Sequence, residues 1–338
     1  MQLRAAIVGA GLMGRWHAHT IRKLGHDVVY VLDSDEQAAR NLANTVGASF
    51  STDLKETLCN AAIDVVHVCT PLEYHYQISE IALECSKHVV CEKPLARYPG
   101  EVKKLLDLAQ RNRRQLCPVY QFVFQKGTAQ VIQEIREEAV IPISVEFSIA
   151  SAGAAGKSEV ALNEAIVEIL PHPFSILARL FPRYALDQVD WYTSSPVEGE
   201  TLISAQMGLV IISIRISMKS RPTECGFLVR SESGNRSVDL YHGYSVKLSP
   251  RVSRFRKMIN PIDQSLRILG ISSSNLMGRL LNREFAYPGL STLIDNLYTS
   301  LQSTNSHSGK DQATFSNSEI QSISGACSVI SSSLTGKA

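Results

Sequence analysis

Residues 9–14, GAGLMG, constrain this chain more than any other stretch. They follow an apolar run, LRAAIVGA (Leu3–Ala10), and open a helical pattern, MGRWHAHTIRKLG. Glycines spaced G-x-G-x-x-G between a strand and a helix suit a dinucleotide-binding turn. Gly9 permits the tight turn, Gly11 lets backbone approach a pyrophosphate, and Gly14 lets helix and strand pack closely. Leu12 and Met13 complete the candidate turn, and the helix N-terminus offers free N–H groups and a positive dipole end to phosphates. Asp33 ends the next apolar run, DVVYVLD, 19 residues beyond Gly14. A carboxylate there can accept both adenine-ribose hydroxyls and would repel a 2′-phosphate, which favours NAD over NADP. The bland alternative is a glycine-rich turn, with Asp33 capping the helix that begins in SDEQAAR.

Three further Val-rich runs follow: DVVHVCT (Asp64–Thr70), KHVVCEK (Lys87–Lys93) and QLCPVY (Gln115–Tyr120). Runs this continuously apolar suit strands covered on both faces. Helical patterns separate them, and strand–helix–strand repetition predicts a doubly wound parallel sheet. The grammar changes after Tyr120. A helix is expected at TAQVIQEIREEA and another at EAIVEILPHPFSILARLF. The runs PISVEFSIA, LDQVDWYTS, LISAQMGLVIISIRISM, ECGFLVRSE and RSVDLYHGYSVKLS predict a mostly antiparallel sheet. YPGLSTLIDNLYTSLQ reads as a helix and STNSHSGKDQ as a polar loop. Ser316 with Glu319 predicts a capping box that starts a final helix. The expected division is therefore a Rossmann α/β domain over 1–120 and an α+β domain over 121–338, to which the resemblance described below gives substrate binding and oligomerisation.

The 338 residues are 44% hydrophobic and 20% charged with a formal net charge of +2. That composition can bury two cores, and a charge so near zero gives no whole-protein field to gather nucleic acid or acidic membrane. The seven cysteines are scattered with no CxxC pair, so the expectation is reduced thiols, no bound metal and a cytoplasmic protein. No apolar run suggests an integral membrane segment, and AAIVGAGLMG suits a strand and turn better than a signal peptide.

Two stretches at strand ends carry candidate chemistry. In CTPLEYH, Thr70 and Pro71 stop a strand on the edge that holds the glycine turn. His75 follows, either as a site residue or as a helix-surface histidine. In VVCEKPLA, a buried strand finishes on Glu92, Lys93 and Pro94. A lysine at the mouth of a cofactor crevice can hydrogen-bond a substrate hydroxyl and exchange its proton. The alternative is a solvated strand end.

The run TPLEYHYQISEIALECSKHVVCEKPLA (Thr70–Ala96) is similar to a block shared by the glucose-fructose oxidoreductase, inositol dehydrogenase and rhizopine catabolism family, abbreviated Gfo/Idh/MocA. The resemblance covers residues 1–120. It implies a Rossmann domain followed by an open-faced mixed sheet, a catalytic or substrate-positioning Lys93, frequently a cis Lys–Pro bond, and Thr70, Pro71, His75 and Glu92 beside the cofactor. It also implies a homodimer or homotetramer. Farther on, EILPHPFS (Glu168–Ser175) takes the place of the family's D-x-G-x-H-x-x-D. His172 then aligns with a proton-handling histidine and Glu168 with the first acid, while Ser175 stands where the second acid does. PVYQFVFQKG puts Tyr120 and Gln121 in a neutral substrate wall, with Val123 where Arg is common.

Residues 251–285 carry seven basic and two acidic side chains. A solvated helical face, a pyrophosphate clamp for a nucleotide-sugar and an interfacial membrane helix all suit such a segment. Together these features predict hydride transfer between NAD and a carbinol carbon of a sugar, sugar-nucleotide or cyclitol. The competing readings are a dinucleotide-binding regulator without turnover and a glycosidase acting through transient oxidation.

Overall fold

The computed structural model describes residues 2–151, 158–248, 253–284, 286–303 and 314–335. The chain forms two compact units: Met1–Tyr120 with Leu290–Ser324, and Gln121–Gly289 with Gly325–Ala338.

The first unit is a parallel sheet of six strands: β1 (Arg4–Val8), β2 (Asp27–Leu32), β3 (Ser49–Ser51), β4 (Val65–Val68), β5 (His88–Cys91) and β6 (Leu116–Pro118). Their order is β3-β2-β1-β4-β5-β6. The order reverses between β1 and β4, and open α/β sheets bind ligands outside the strand ends at such a point. Helices α1 (Leu12–Lys23), α2 (Glu36–Val46), α3 (Leu54–Leu58), α4 (Leu72–Glu84) and α5 (Pro99–Arg111) make the connections. The sequence reading missed β3 and α3, which are three and five residues long and too short to show a period.

One expected boundary is corrected. Helix α10 (Leu290–Gln302) belongs to the first unit, not to the domain begun at residue 121. It packs on α1 through a stripe that buries Leu290, Leu293, Ile294, Leu297 and Tyr298. Period 3.6 shows which face of a helix is buried but not which sheet will bury it.

The expectation that all cysteines are free thiols is also corrected. Cys59, just after α3, is disulfide-bonded to Cys85, the C-cap of α4, with their Cα atoms 4.9 Å apart. The two lie 26 residues apart in sequence, and only the packing of α3 on α4 makes them neighbours. Cys69, Cys91, Cys117, Cys225 and Cys327 are free.

The second unit holds β7 (Ser144–Ala150), β8 (Tyr192–Val197), β9 (Glu200–Met207), β10 (Val210–Ser217), β11 (Glu224–Arg230), β12 (Arg236–Asp239) and β13 (Tyr244–Lys247). Their order is β13-β12-β11-β7-β10-β9-β8. Only the β7–β10 pair is parallel. Along β9 and β10, Ile203, Ala205, Ile212, Ile214 and Ile216 are buried while Leu202, Gln206, Ile211 and Arg215 face out, as one-sided burial requires. The run from Leu202 to Met218 divides into these two strands at Gly208, which has φ +64°. Leu186–Gln188 is a 3-10 turn rather than the start of a strand.

Helices α6 (Lys126–Arg136), α7 (Glu159–Ile169), α8 (Pro171–Leu180) and α9 (Arg254–Leu281) complete this unit. The single helix expected across PHPFS is two, because Pro171 opens α8 at its first position. The segment Val160–Leu180 matches a membrane span in length and composition, but half of its apolar window is buried, as in a core helix. Helix α11 (Asn317–Thr335) starts at the expected capping box: Ser316 Oγ accepts from the Glu319 N–H, and Glu319 Oε2 accepts from the Ser316 N–H. Most of the predicted polar loop, residues 304–312, lies outside the described residues.

Candidate active site

Four loops of the first unit meet the carboxyl edge of its sheet. Between β1 and α1, Gly9 has φ +101°, and a Cβ there would stand 2.6 Å from the Cys69 carbonyl oxygen at the end of β4. A Cβ on Gly14 would stand 1.8 Å from the Gly9 carbonyl oxygen. Both positions therefore exclude any side chain. Gly11 differs: nothing lies within 4 Å of where its Cβ would be, and it is the N-cap of α1 with no side-chain cap. Gly11 and Leu12 are exposed and Met13 half-buried, so the turn presents open backbone and uncapped N–H groups.

Asp33 is fastened to this turn. Its Oδ2 accepts from the Ala10 N–H at 2.7 Å, and its Oδ1 from the Asp35 N–H at 3.0 Å. The N-cap of α2 is Asp35, which accepts from Gln37 and Ala38. Asp33 is thus not spent on capping; it joins the β2 end to the glycine turn.

At the end of β4, Thr70 is half-buried and its Oγ1 is buried with no hydrogen-bond partner in the protein. Exposed Pro71 begins α4. His75 is 2% exposed, and its ring bridges two loops: Nδ1 lies 2.6 Å from the Pro94 carbonyl oxygen and Nε2 2.8 Å from that of Thr70. Carbonyl oxygens only accept, so both nitrogens donate and the ring is an imidazolium. Burial opposes this charge, but Cys91 and the two carbonyls outweigh it and raise the pKa to about 9. His75 is therefore not a surface histidine; it clamps the Thr70 loop to the Lys93–Pro94 loop.

At the end of β5, Glu92 is 8% exposed, Lys93 is half-buried and the Lys93–Pro94 bond is cis. Glu92 heads a buried chain that sequence reasoning did not find. Its Oε1 lies 3.1 Å from His17 Nε2, His17 Nδ1 lies 2.8 Å from His67 Nδ1, and His67 Nε2 lies 2.8 Å from the Tyr298 hydroxyl. Both histidines and Tyr298 are fully buried. The carboxylate can only accept, so one proton on each ring gives a single order. His17 donates from Nε2 and accepts at Nδ1, His67 donates from Nδ1 and accepts at Nε2, and Tyr298 donates its hydroxyl. Burial, with His17 adding to it, holds the His67 pKa far below the usual histidine range, consistent with the neutral ring this order needs. Three donors thus point one way, toward the carboxylate of the residue before Lys93. One signal was legible: His67 interrupts the otherwise apolar strand VVHV.

The remaining predicted residues are placed as follows. Tyr120 is 2% exposed and meets the Phe315 ring edge-on at 5.0 Å. In the second unit, buried Gln121 starts the 3-10 turn Gln121–Phe124, whose Phe122 stacks on the His172 ring at 4.3 Å. His172 is half-buried near the start of α8, and its carbonyl accepts from the Ser175 hydroxyl at 2.9 Å. Glu168 is exposed on α7. Arg251 and the side chains of Arg254, Arg256 and Lys257, four of the seven basic residues of the segment read as a phosphate clamp, lie outside the described residues.

Residues 3–120 match the family described as "Oxidoreductase family, NAD-binding Rossmann fold". A D-glucoside 3-dehydrogenase of Escherichia coli strain K12 is 34% identical over 155 residues, 45% of this chain and 43% of the relative. An inositol 2-dehydrogenase of Saccharopolyspora erythraea is 35% identical over 110 residues, 31% of this chain and 33% of the relative. Matched sequence thus spans under half the length of these relatives. In three dimensions the chain resembles the WlbA dehydrogenase of Bordetella pertussis, solved with NADH and UDP-GlcNAcA, at TM-score 0.72 and 16% identity, covering 100% of this chain and 96% of that one. A UDP-N-acetylglucosamine 3-dehydrogenase from Acidithiobacillus ferrooxidans gives TM-score 0.71 at 15% identity, covering 100% and 98%. Over residues 3–120, then, the chain is similar to the Gfo/Idh/MocA oxidoreductases.

Proposed function

We propose that this protein is an NAD-dependent oxidoreductase acting on a CH–OH carbon of a sugar, sugar-nucleotide or cyclitol. The observation that carries the reading is the carboxyl edge of the parallel sheet. There an open glycine turn, tied to a carboxylate that does no capping, shares the edge with an unpartnered Thr70 hydroxyl and the Glu92-Lys93-Pro94 loop. The relatives' names, glucoside and inositol dehydrogenases, support the substrate class.

Gly9, Gly11 and Gly14, with Leu12 and Met13, would seat a pyrophosphate on the first N–H groups of α1. Asp33 would accept the adenine-ribose hydroxyls and disfavour a 2′-phosphate. Thr70 and Pro71 would border the dinucleotide, with His75 and Glu92 holding the loops that form the edge. Nicotinamide, when bound, supplies the hydride acceptor or donor. Lys93 binds the substrate hydroxyl and takes or returns its proton. We assign His172 as a second proton-handling group and Tyr120, Gln121 and Glu168 to the substrate side. The proton-carrying roles of Lys93 and His172 favour an enzyme over a dinucleotide-binding regulator. The full assembly is proposed as a homodimer or homotetramer, supported by the outward Leu202 and Ile211 on the second unit's sheet, and as cytoplasmic, where NAD is supplied.

The cofactor reading is tested by dissociation constants for NAD and NADP measured at one ionic strength. NAD is expected to bind more tightly, and Asp33→Ala to narrow the gap chiefly by weakening NAD. Equal affinities in the wild type, or a preference for NADP, would sink the assignment.

A further inference from the structure

Helix α9 carries an apolar face that its own unit does not cover. Ile262, Leu266, Leu269, Leu276 and Leu280 are 48% to 64% exposed. Their spacings are four, three, seven and four residues, so at 100° per residue they fall within a stripe about 80° wide. From Ile262 to Leu280 the stripe runs about 27 Å, at 1.5 Å per residue. Asn275, about 140° around the helix from the centre of this stripe, donates to the His242 carbonyl at 2.9 Å. The helix is therefore tied to the β12–β13 hairpin by its far side, and the apolar stripe is turned away from it.

Charge narrows what can cover this stripe. Residues 251–285 hold seven Lys or Arg against Asp263 and Glu284, seven minus two, or +5. The whole chain is only +2, so the rest is net acidic at −3. Four of the seven basic residues fall between positions 251 and 257 of the sequence, and Arg279 and Arg283 fall near the end of the segment. Pairing this segment with the same segment of a second copy would set +5 against +5. An anionic surface complements it instead. The opposite side carries Gln264, Arg267, Ser274 and Asn275 around a single Ile271. A helix with one bulky apolar stripe, a mostly polar opposite face and a basic excess lies flat in a lipid interface rather than crossing it.

We propose that α9 is a docking surface for an anionic lipid bilayer, seating Ile262, Leu266, Leu269, Leu276 and Leu280 at the acyl boundary with the flanking Arg and Lys at the headgroups. The protein would bind reversibly, by one amphipathic helix. This proposal is independent of the redox chemistry assigned to the first unit.

The test is flotation of the full chain with large vesicles of phosphatidylcholine alone or with 30% phosphatidylserine, paired with light scattering for its mass in solution. The expected result is at least roughly tenfold more protein on the anionic vesicles, since each Lys or Arg near such a surface adds attraction. Binding should fall sharply in 0.5 M salt, which shortens the screening length. Leu266→Glu with Leu269→Glu, two exposed positions, should abolish flotation and leave the circular dichroism spectrum and the mass unchanged. Absent flotation, equal flotation on both vesicles, or undiminished flotation of the double variant overturns the proposal. A double variant that loses mass instead assigns the stripe to a second copy and equally overturns it.

Discussion

Tyr298→Phe tests the buried chain at its far end. The substitution removes one oxygen and keeps the ring, so the edge-on contact with His67 at 5.9 Å and the contact with His26 at 4.8 Å survive and no large cavity opens. What is lost is the proton donated to His67 Nε2. His67 is 0% exposed, so water cannot replace that donor, and the ring cannot swap tautomers because Nδ1 must keep its proton for His17. An unsatisfied buried acceptor costs about 1–3 kcal/mol, against about 1 kcal/mol or less for an exposed hydrogen bond. The predicted loss of stability is therefore about 1–3 kcal/mol. It should appear in equilibrium urea unfolding as a lower midpoint with an unchanged slope, since the buried area is the same. A loss below about 0.5 kcal/mol, under the range for an orphaned buried group, would refute the proton order assigned to the chain.

Three further outcomes follow from the same geometry. His75, raised to about 9, stays protonated at neutral pH. A raised histidine contributes stability that is complete below the unfolded pKa of about 6.5 and is lost as pH rises through the folded value. The urea midpoint should therefore fall between pH 7 and 9.5, and a flat midpoint across that window contradicts the clamp. His88 works at the acid end: burial first, then Arg114, against the opposing pull of Asp64, depress it to about 4. Its contribution is present above pH 6.5 and lost as pH falls toward 4, so the midpoint should also drop between those values. Thiol titration in denaturant should count five free groups before reduction and seven after; seven before reduction would remove the Cys59–Cys85 bond.

The parts legible in the sequence were those whose physics is local. A glycine whose Cβ would strike its neighbours, a Val-rich strand covered on both faces and a charged pair ending such a strand all sit within a dozen residues. They locate the glycine turn, Asp33 and the Glu92-Lys93 loop on one edge. What escaped depends on long-range partners. His67 and Tyr298 are separated by 231 residues and His17 and Glu92 by 75, so no window of sequence shows their hydrogen bonds. The same holds for α10, whose apolar stripe is plain but whose partner is α1, nearly the full chain away. His75 shows the opposite case. Its position in T-P-x-x-x-H is plain in the sequence, but its function as a clamp rests on the Pro94 carbonyl, which only the folded loop supplies.

The central claim is that Lys93 handles the substrate proton beside bound NAD. The most direct measurement is absorbance at the reduced-nicotinamide band for wild type and Lys93→Met, over a panel of glucosides, cyclitols and UDP-sugars, with NAD affinity measured in parallel. The account predicts that wild type reduces NAD with a member of this panel, and that Lys93→Met keeps its NAD affinity while turnover falls by roughly 10²-fold or more, the scale of a lost acid–base group. Near-wild-type turnover in Lys93→Met would contradict it.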